Sequence, residues 1–186
     1  MDRIELGFEP YVITVMFNPL TGSSAAVARN MDRAVEDLYS IVVQRMFRRP
    51  KEMPLLSLPL WITCPDFPVQ KLLKTTLADA RVNNGAHMHI PALSPPNTRL
   101  DLPFNLWLDQ NKTRYSGPGH AIARIYVQRV YETPENAFDY ALKSLGRGRA
   151  TSDDVLVLPR TRSEIHTRRG SQEATAGTNY GHGGRG

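Results

Sequence analysis

The chain has 186 residues, 41% of them hydrophobic and 22% charged, which suits one globular domain with its own core and leaves too little for two. Twenty-three basic against eighteen acidic side chains give a net charge of +5, a balance that fits a polyanionic partner such as nucleic acid, although Arg160, Arg162, Arg168, Arg169 and Arg185 fall in tail-like sequence. A single cysteine, Cys64, excludes an internal disulfide. Residues 1–9 hold no apolar run of signal-peptide length and no stretch nears the roughly 20 apolar residues of a membrane span, so a cytoplasmic protein with no membrane partner is expected.

Taken in chain order, Tyr11–Phe17 is rich in β-branched and aromatic residues and closes at Asn18-Pro19, which predicts a first strand. From Ser23 or Ser24 to about Phe47, Val27, Met31, Val35, Leu38, Ile41, Val42 and Met46 recur at helical spacing behind a serine cap. Pro50 and Pro54 end that helix. Leu55–Thr63 then reads as a strand whose prolines place it at an edge or a bulge, and Val69–Arg81 as a helix or part of a longer hairpin.

Asn83-Asn84-Gly85 signals a turn, followed by a short strand, Ala86–Ile90, that Pro91 is expected to end. Residues 94–119 are irregular, with a short helix at Leu102–Leu108. Ala121–Val130 alternates as a strand. Thr133 caps and Pro134 opens a helix that runs to about Leu145 and stops at Gly146. Asp154–Leu158 makes a last strand. The reading is therefore an α+β domain over residues 1–158, an antiparallel sheet with helices on its faces of the ferredoxin or RRM-like kind. The Gly- and Arg-rich residues 159–186 are expected to form a disordered tail.

The chemistry centres on two short motifs. On a strand, residues two apart project from one face, so His87 and His89 can hold one divalent ion between their imidazoles; a surface pair would have the same spacing, and so would a cupin-like metal site. On the later helix, Phe138, Ala141, Leu142 and Leu145 form an apolar stripe, while Tyr140 and Lys143, three apart, share the opposite side with Asn136. An ammonium beside a phenol favours the phenolate and can hold a phosphate oxygen; the bland alternative is an exposed pair on an ordinary amphipathic helix. His120, His166 and His182 lie in loop or tail sequence, and Cys64 reads as a buried structural thiol.

A strand bearing His-hydrophobic-His, followed about fifty residues later by a helix bearing Tyr-x-x-Lys, resembles the HUH endonucleases, specifically the replication initiators with a single catalytic tyrosine. The likeness covers roughly Tyr11 to Leu145, and the order, histidines before tyrosine, is similar to initiators rather than to conjugative relaxases. It implies a Mn²⁺ or Mg²⁺ ion on His87 and His89, Tyr140 as nucleophile and Lys143 beside it. The implied substrate is single-stranded DNA or a DNA hairpin origin, nicked and rejoined through a 5′-phosphotyrosine link. The family also takes a third ligand from the strand next to the histidines; the nearest acidic residues upstream are Asp79 and Asp66, neither shortly before His87. With no helicase or Walker A motif in the chain, a host helicase would do the unwinding. The competing readings are a non-catalytic DNA-binding relative and a cupin-type metal enzyme.

Overall fold

The computed structural model describes residues 3–66, 87–148 and 150–161. The expected helix or hairpin at Val69–Arg81 and residues 162–186 of the expected tail lie outside them. Strand β1 (Glu9–Phe17) leads through the turn at Asn18-Pro19 into helix α1 (Ser24–Met46), whose amino end is capped by the Ser23 hydroxyl accepting from the Ala26 amide at 3.3 Å. Its apolar stripe buries Met31, Val35, Leu38, Val42 and Met46 as the spacing predicts, with Tyr39 and Val43 completing the contact, whereas Ile41 lies at the edge and is 37% exposed.

Strands β2 (Leu60–Asp66) and β3 (His87–Ser94) follow, then helix α2 (Phe104–Asn111), strand β4 (Ile122–Arg129), the short helices α3 (Pro134–Ala141) and α4 (Lys143–Gly146), and strand β5 (Leu156–Leu158). The sheet order is β4-β1-β3-β2-β5 with every neighbouring pair antiparallel. The first four strands have the order of a split β-α-β pair, and β5 extends the sheet beyond β2. The fold is thus the α+β antiparallel arrangement that the sequence predicts.

One face of the sheet is the core. Tyr11, Ile13, Val15 and Phe17 of β1 point at α1, and Tyr11, Trp61 and Phe104 join α2 to the same layer, the Tyr11 and Phe104 rings meeting edge-on at 5.2 Å. Alternation then sends Val12, Thr14 and Met16 to the other face with their cross-strand partners Pro91, His89 and His87. Helices α3 and α4 pack over that second face, so helices cover both sides.

Several element boundaries differ from the sequence reading. Strand β2 begins at Leu60, since Leu55–Ser57 forms a 3₁₀ turn between Pro54 and Pro59, and it runs on through Pro65 to Asp66. Strand β3 passes Pro91 and ends at Ser94. Its pairing with β2 links Leu60↔Leu93 and Trp61↔Ala92 and resumes at Cys64↔His89, so the gap in the ladder falls beside Pro91, which lacks an N–H to donate. Thr133 does not cap α3 with its side chain; it takes left-handed φ 44°, ψ 63° ahead of Pro134. Leu142 at φ −94°, ψ 13° breaks the expected single helix between α3 and α4. At the carboxyl end, Arg160 still pairs with Glu36 of α1, two residues beyond the expected domain limit.

Candidate metal and tyrosine site

The first half of β3 brings His87 and His89 to the second face, and antiparallel register sets Asp66, the last residue of β2, directly opposite His87. The three side chains offer ligand atoms that all lie within 4.8 Å of one another. The two Nε2 atoms are 3.1 Å apart, and Asp66 Oδ2 is 3.4 Å from His87 Nε2. Neighbouring ligands on one ion about 2.1 Å away are separated by roughly 3.0–3.4 Å at tetrahedral or octahedral angles. The donor set of two imidazoles and one carboxylate therefore fits a single divalent cation, with positions left over for water or substrate.

The surroundings prepare two of the three side chains. His89 Nδ1 lies 3.1 Å from Thr14 Oγ1 on β1; with Nδ1–H donating to that hydroxyl, the Nε2 lone pair is directed at the cation site. Burial, reinforced by the positive charges of His87 and Lys143 and opposed by Asp66, pushes the His89 imidazole down to about 4, which keeps it neutral at neutral pH. Burial would raise the Asp66 carboxyl, but hydrogen bonds from Lys143 and Ser144 and the charges of Lys143 and His87 outweigh it and hold the group ionised below its ordinary range.

Helices α3 and α4 dock on this cluster through Asp66. Ser144 Oγ donates to Asp66 Oδ1 at 2.7 Å, and Lys143 Nζ donates to Oδ2 at the same distance. Tyr140, one turn earlier, packs beside His89 with ring centroids 6.0 Å apart, and the Lys143 ammonium lies 4.5 Å from the Tyr140 centroid. The phenol side is open, with Tyr140 63% exposed.

All four residues singled out in the sequence thus come together, but not in the arrangement that one continuous helix predicts. The break at Leu142 turns Lys143 inward, leaving its side chain 19% exposed. Ala141 and Ser144 are buried, while Leu145, assigned to the apolar stripe, is 37% exposed. Of the two upstream acidic residues, Asp66 lies beside the histidine pair, and Asp79 lies outside the described residues. Ser144 and Thr14 were not foreseen. A polar residue at an alternating position of an apolar strand was the available signal for Thr14, and nothing marked Ser144. Cys64 is buried as expected, and His120 is exposed in its loop. Among the described residues no helix is long and apolar enough to cross a membrane. No family model, no curated protein and no solved structure matches this chain.

Proposed function

We propose that this domain is a metal-dependent nuclease that nicks and rejoins single-stranded DNA through Tyr140, in the manner of the HUH replication initiators. One observation carries the reading: a solvent-open tyrosine is mounted beside a two-histidine, one-aspartate cluster by a helix pair anchored to the aspartate itself. The open sheet and the 23-residue helix α1 are not a cupin barrel, which sets the cupin reading aside.

Bound by His87, His89 and Asp66, a divalent ion would supply Lewis-acid polarisation of a phosphate, and imidazole with carboxylate favours Mn²⁺ over Mg²⁺. The Tyr140 hydroxyl oxygen attacks the phosphorus and gives up its proton to solvent. The bond from phosphorus to the 3′ oxygen breaks, and that oxygen takes a proton to become a free 3′-hydroxyl. The 5′ phosphate stays on Tyr140 as a diester, so reversal by an incoming 3′-hydroxyl reseals a strand with no external energy source. Lys143, between Asp66 and the Tyr140 ring, is placed to offset charge on the phosphate. The substrate is single-stranded DNA or a hairpin origin, and unwinding falls to a separate helicase.

The test is incubation of the purified chain with Mn²⁺ and single-stranded oligonucleotides from its own genetic neighbourhood, followed by denaturing electrophoresis beside Tyr140→Phe. A slow-migrating adduct made by the wild type and absent from the variant is expected. Metal-dependent DNA binding with no adduct would replace this reading with a non-catalytic DNA-binding domain.

A further inference from the structure

The triad occupies one end of the sheet, where Met16 pairs with His87; at the other end Glu9 pairs with Ser94. Seven steps along β3 at about 3.3 Å separate these ends by roughly 23 Å. Just beyond Ser94, the segment 96–99 meets the carboxyl end of α1, where the Arg99 amide donates to the Met46 carbonyl at 2.9 Å. Between them lies an open cleft of about 670 Å³, with Met53 and Pro96 among its apolar walls and Arg48, Arg49 and Arg99 at its rim against one acidic residue, Glu52.

The balance of charge there exceeds what the fold requires. A helix carboxyl terminus favours a cation, but Arg45 already provides one in the last turn of α1. Arg49 and Glu52 meet at 3.4 Å with both side chains about 70% exposed (71% and 67%), a surface pair of little strength. Arg48 and Arg99 are exposed and form no ion pair with any described carboxylate. The Arg99 backbone is tied to α1 by that hydrogen bond, so both arginine side chains project from the same end of the helix. Arginine over an apolar floor is the chemistry that takes a sugar-phosphate chain, the guanidinium on phosphate and the aliphatic wall under sugar or base.

We propose that this cleft is a second docking site for the same single-stranded DNA, holding the phosphate backbone of the flank at the far end of the sheet from the triad and on its α1 side, at least about 23 Å away, so that about seven stacked nucleotides at roughly 3.4 Å each are the shortest flank that reaches it. The proposal rests on the nucleic-acid reading of the triad but not on cleavage. The test is binding of a 20-nucleotide oligothymidylate to the full chain in Mn²⁺ across a salt series. Two double variants are compared, Arg48→Ser with Arg99→Ser in the cleft, and Arg29→Ser with Arg33→Ser on the exposed face of α1. All four side chains are exposed, so the fold is kept, and both pairs remove the same charge.

The cleft pair is expected to weaken binding about tenfold and to lower the slope of log affinity against log salt by roughly 1.4, at about 0.7 for each phosphate of a single strand that is no longer neutralised. The α1 pair should change neither. Equal losses from both pairs, no loss from the cleft pair, or no binding by the wild type would each overturn the proposal. Adduct formation at Tyr140 is scored separately: an intact adduct beside an inert cleft sinks only the cleft, and cleft-dependent binding without an adduct sinks only the nicking.

Discussion

Ser144 and Asp66 are joined by a 2.7 Å hydrogen bond between two buried side chains 78 residues apart in sequence. The bond uses Oδ1 and leaves Oδ2 facing His87 and Lys143, so the helix that follows Tyr140 is pinned to the carboxylate of the candidate metal cluster. A buried hydrogen bond to a charged acceptor contributes about 1.5–3 kcal/mol, and deleting the donor removes the Oδ1 partner while Lys143 stays on Oδ2. Ser144→Ala is therefore expected to lower the unfolding free energy in urea by that amount and to weaken Mn²⁺ binding in the same protein. A change below about 0.5 kcal/mol, the size of an ordinary surface effect, would show that this bond does not anchor the helix.

Asp66 as a metal ligand gives a sharper expectation. Cys64 stands two residues earlier on β2, on the same face and opposite His89, but its thiol is directed to the Pro65 carbonyl at 3.9 Å and is absent from the cluster of ligand atoms. Asp66→Asn should reduce Mn²⁺ affinity by at least about tenfold, since even outer partners of a ligand are worth 10–100-fold, and Cys64→Ala should leave it within about twofold of wild type. Titration calorimetry on both variants measures this. Equal losses, or a loss only at Cys64, would remove Asp66 from the site.

These two residues also mark where sequence reasoning stopped. The 3.6-residue period of α1 and the alternation of β1 were legible because each is decided by local burial, and His87 with His89 followed from strand alternation alone. Asp66 was a candidate only by its position upstream; its approach to His87 was not legible because it depends on the register of two strands separated by twenty residues, and register is a long-range property. The Cys64-Pro65 step read as a strand end, yet the strand continues through it. Likewise, a regular helix put Lys143 beside Tyr140 and away from the core; the break at Leu142 rotated it onto Asp66, and no glycine or proline announces that break.

Acid stability has a separate origin, in α1. Burial, and then the negative charges of Glu36 on the next turn and Asp154 before β5, push the Asp32 carboxyl up to about 6, against the opposing charge of Arg160. A carboxyl whose folded value lies above its unfolded value of about 3.9 binds more proton in the folded state between those limits. Asp32 therefore lowers stability as pH rises from about 4 to about 6, and its penalty is constant above that window. Asp32→Asn should stabilise the domain at pH 7 and flatten that segment of the profile, measured by thermal melts between pH 4 and 8. A variant less stable than wild type at pH 7 would mean that the ionised carboxylate has a favourable partner.

Tyr140 can be tested without disturbing what surrounds it. Its ring is 63% exposed, and its contacts with His89 and Lys143 are made by the ring rather than the hydroxyl. Removing the hydroxyl keeps that aromatic face, so Tyr140→Phe should change unfolding free energy by no more than about 0.5 kcal/mol, as for other exposed substitutions, and leave Mn²⁺ affinity unchanged. Under those conditions, loss of a DNA adduct reports the nucleophile alone. A loss of more than about 1 kcal/mol, or weakened metal binding, would mean that the phenol oxygen holds the site together; Lys143→Met, assayed for adduct formation alongside it, would then separate the packing of the helix from the chemistry.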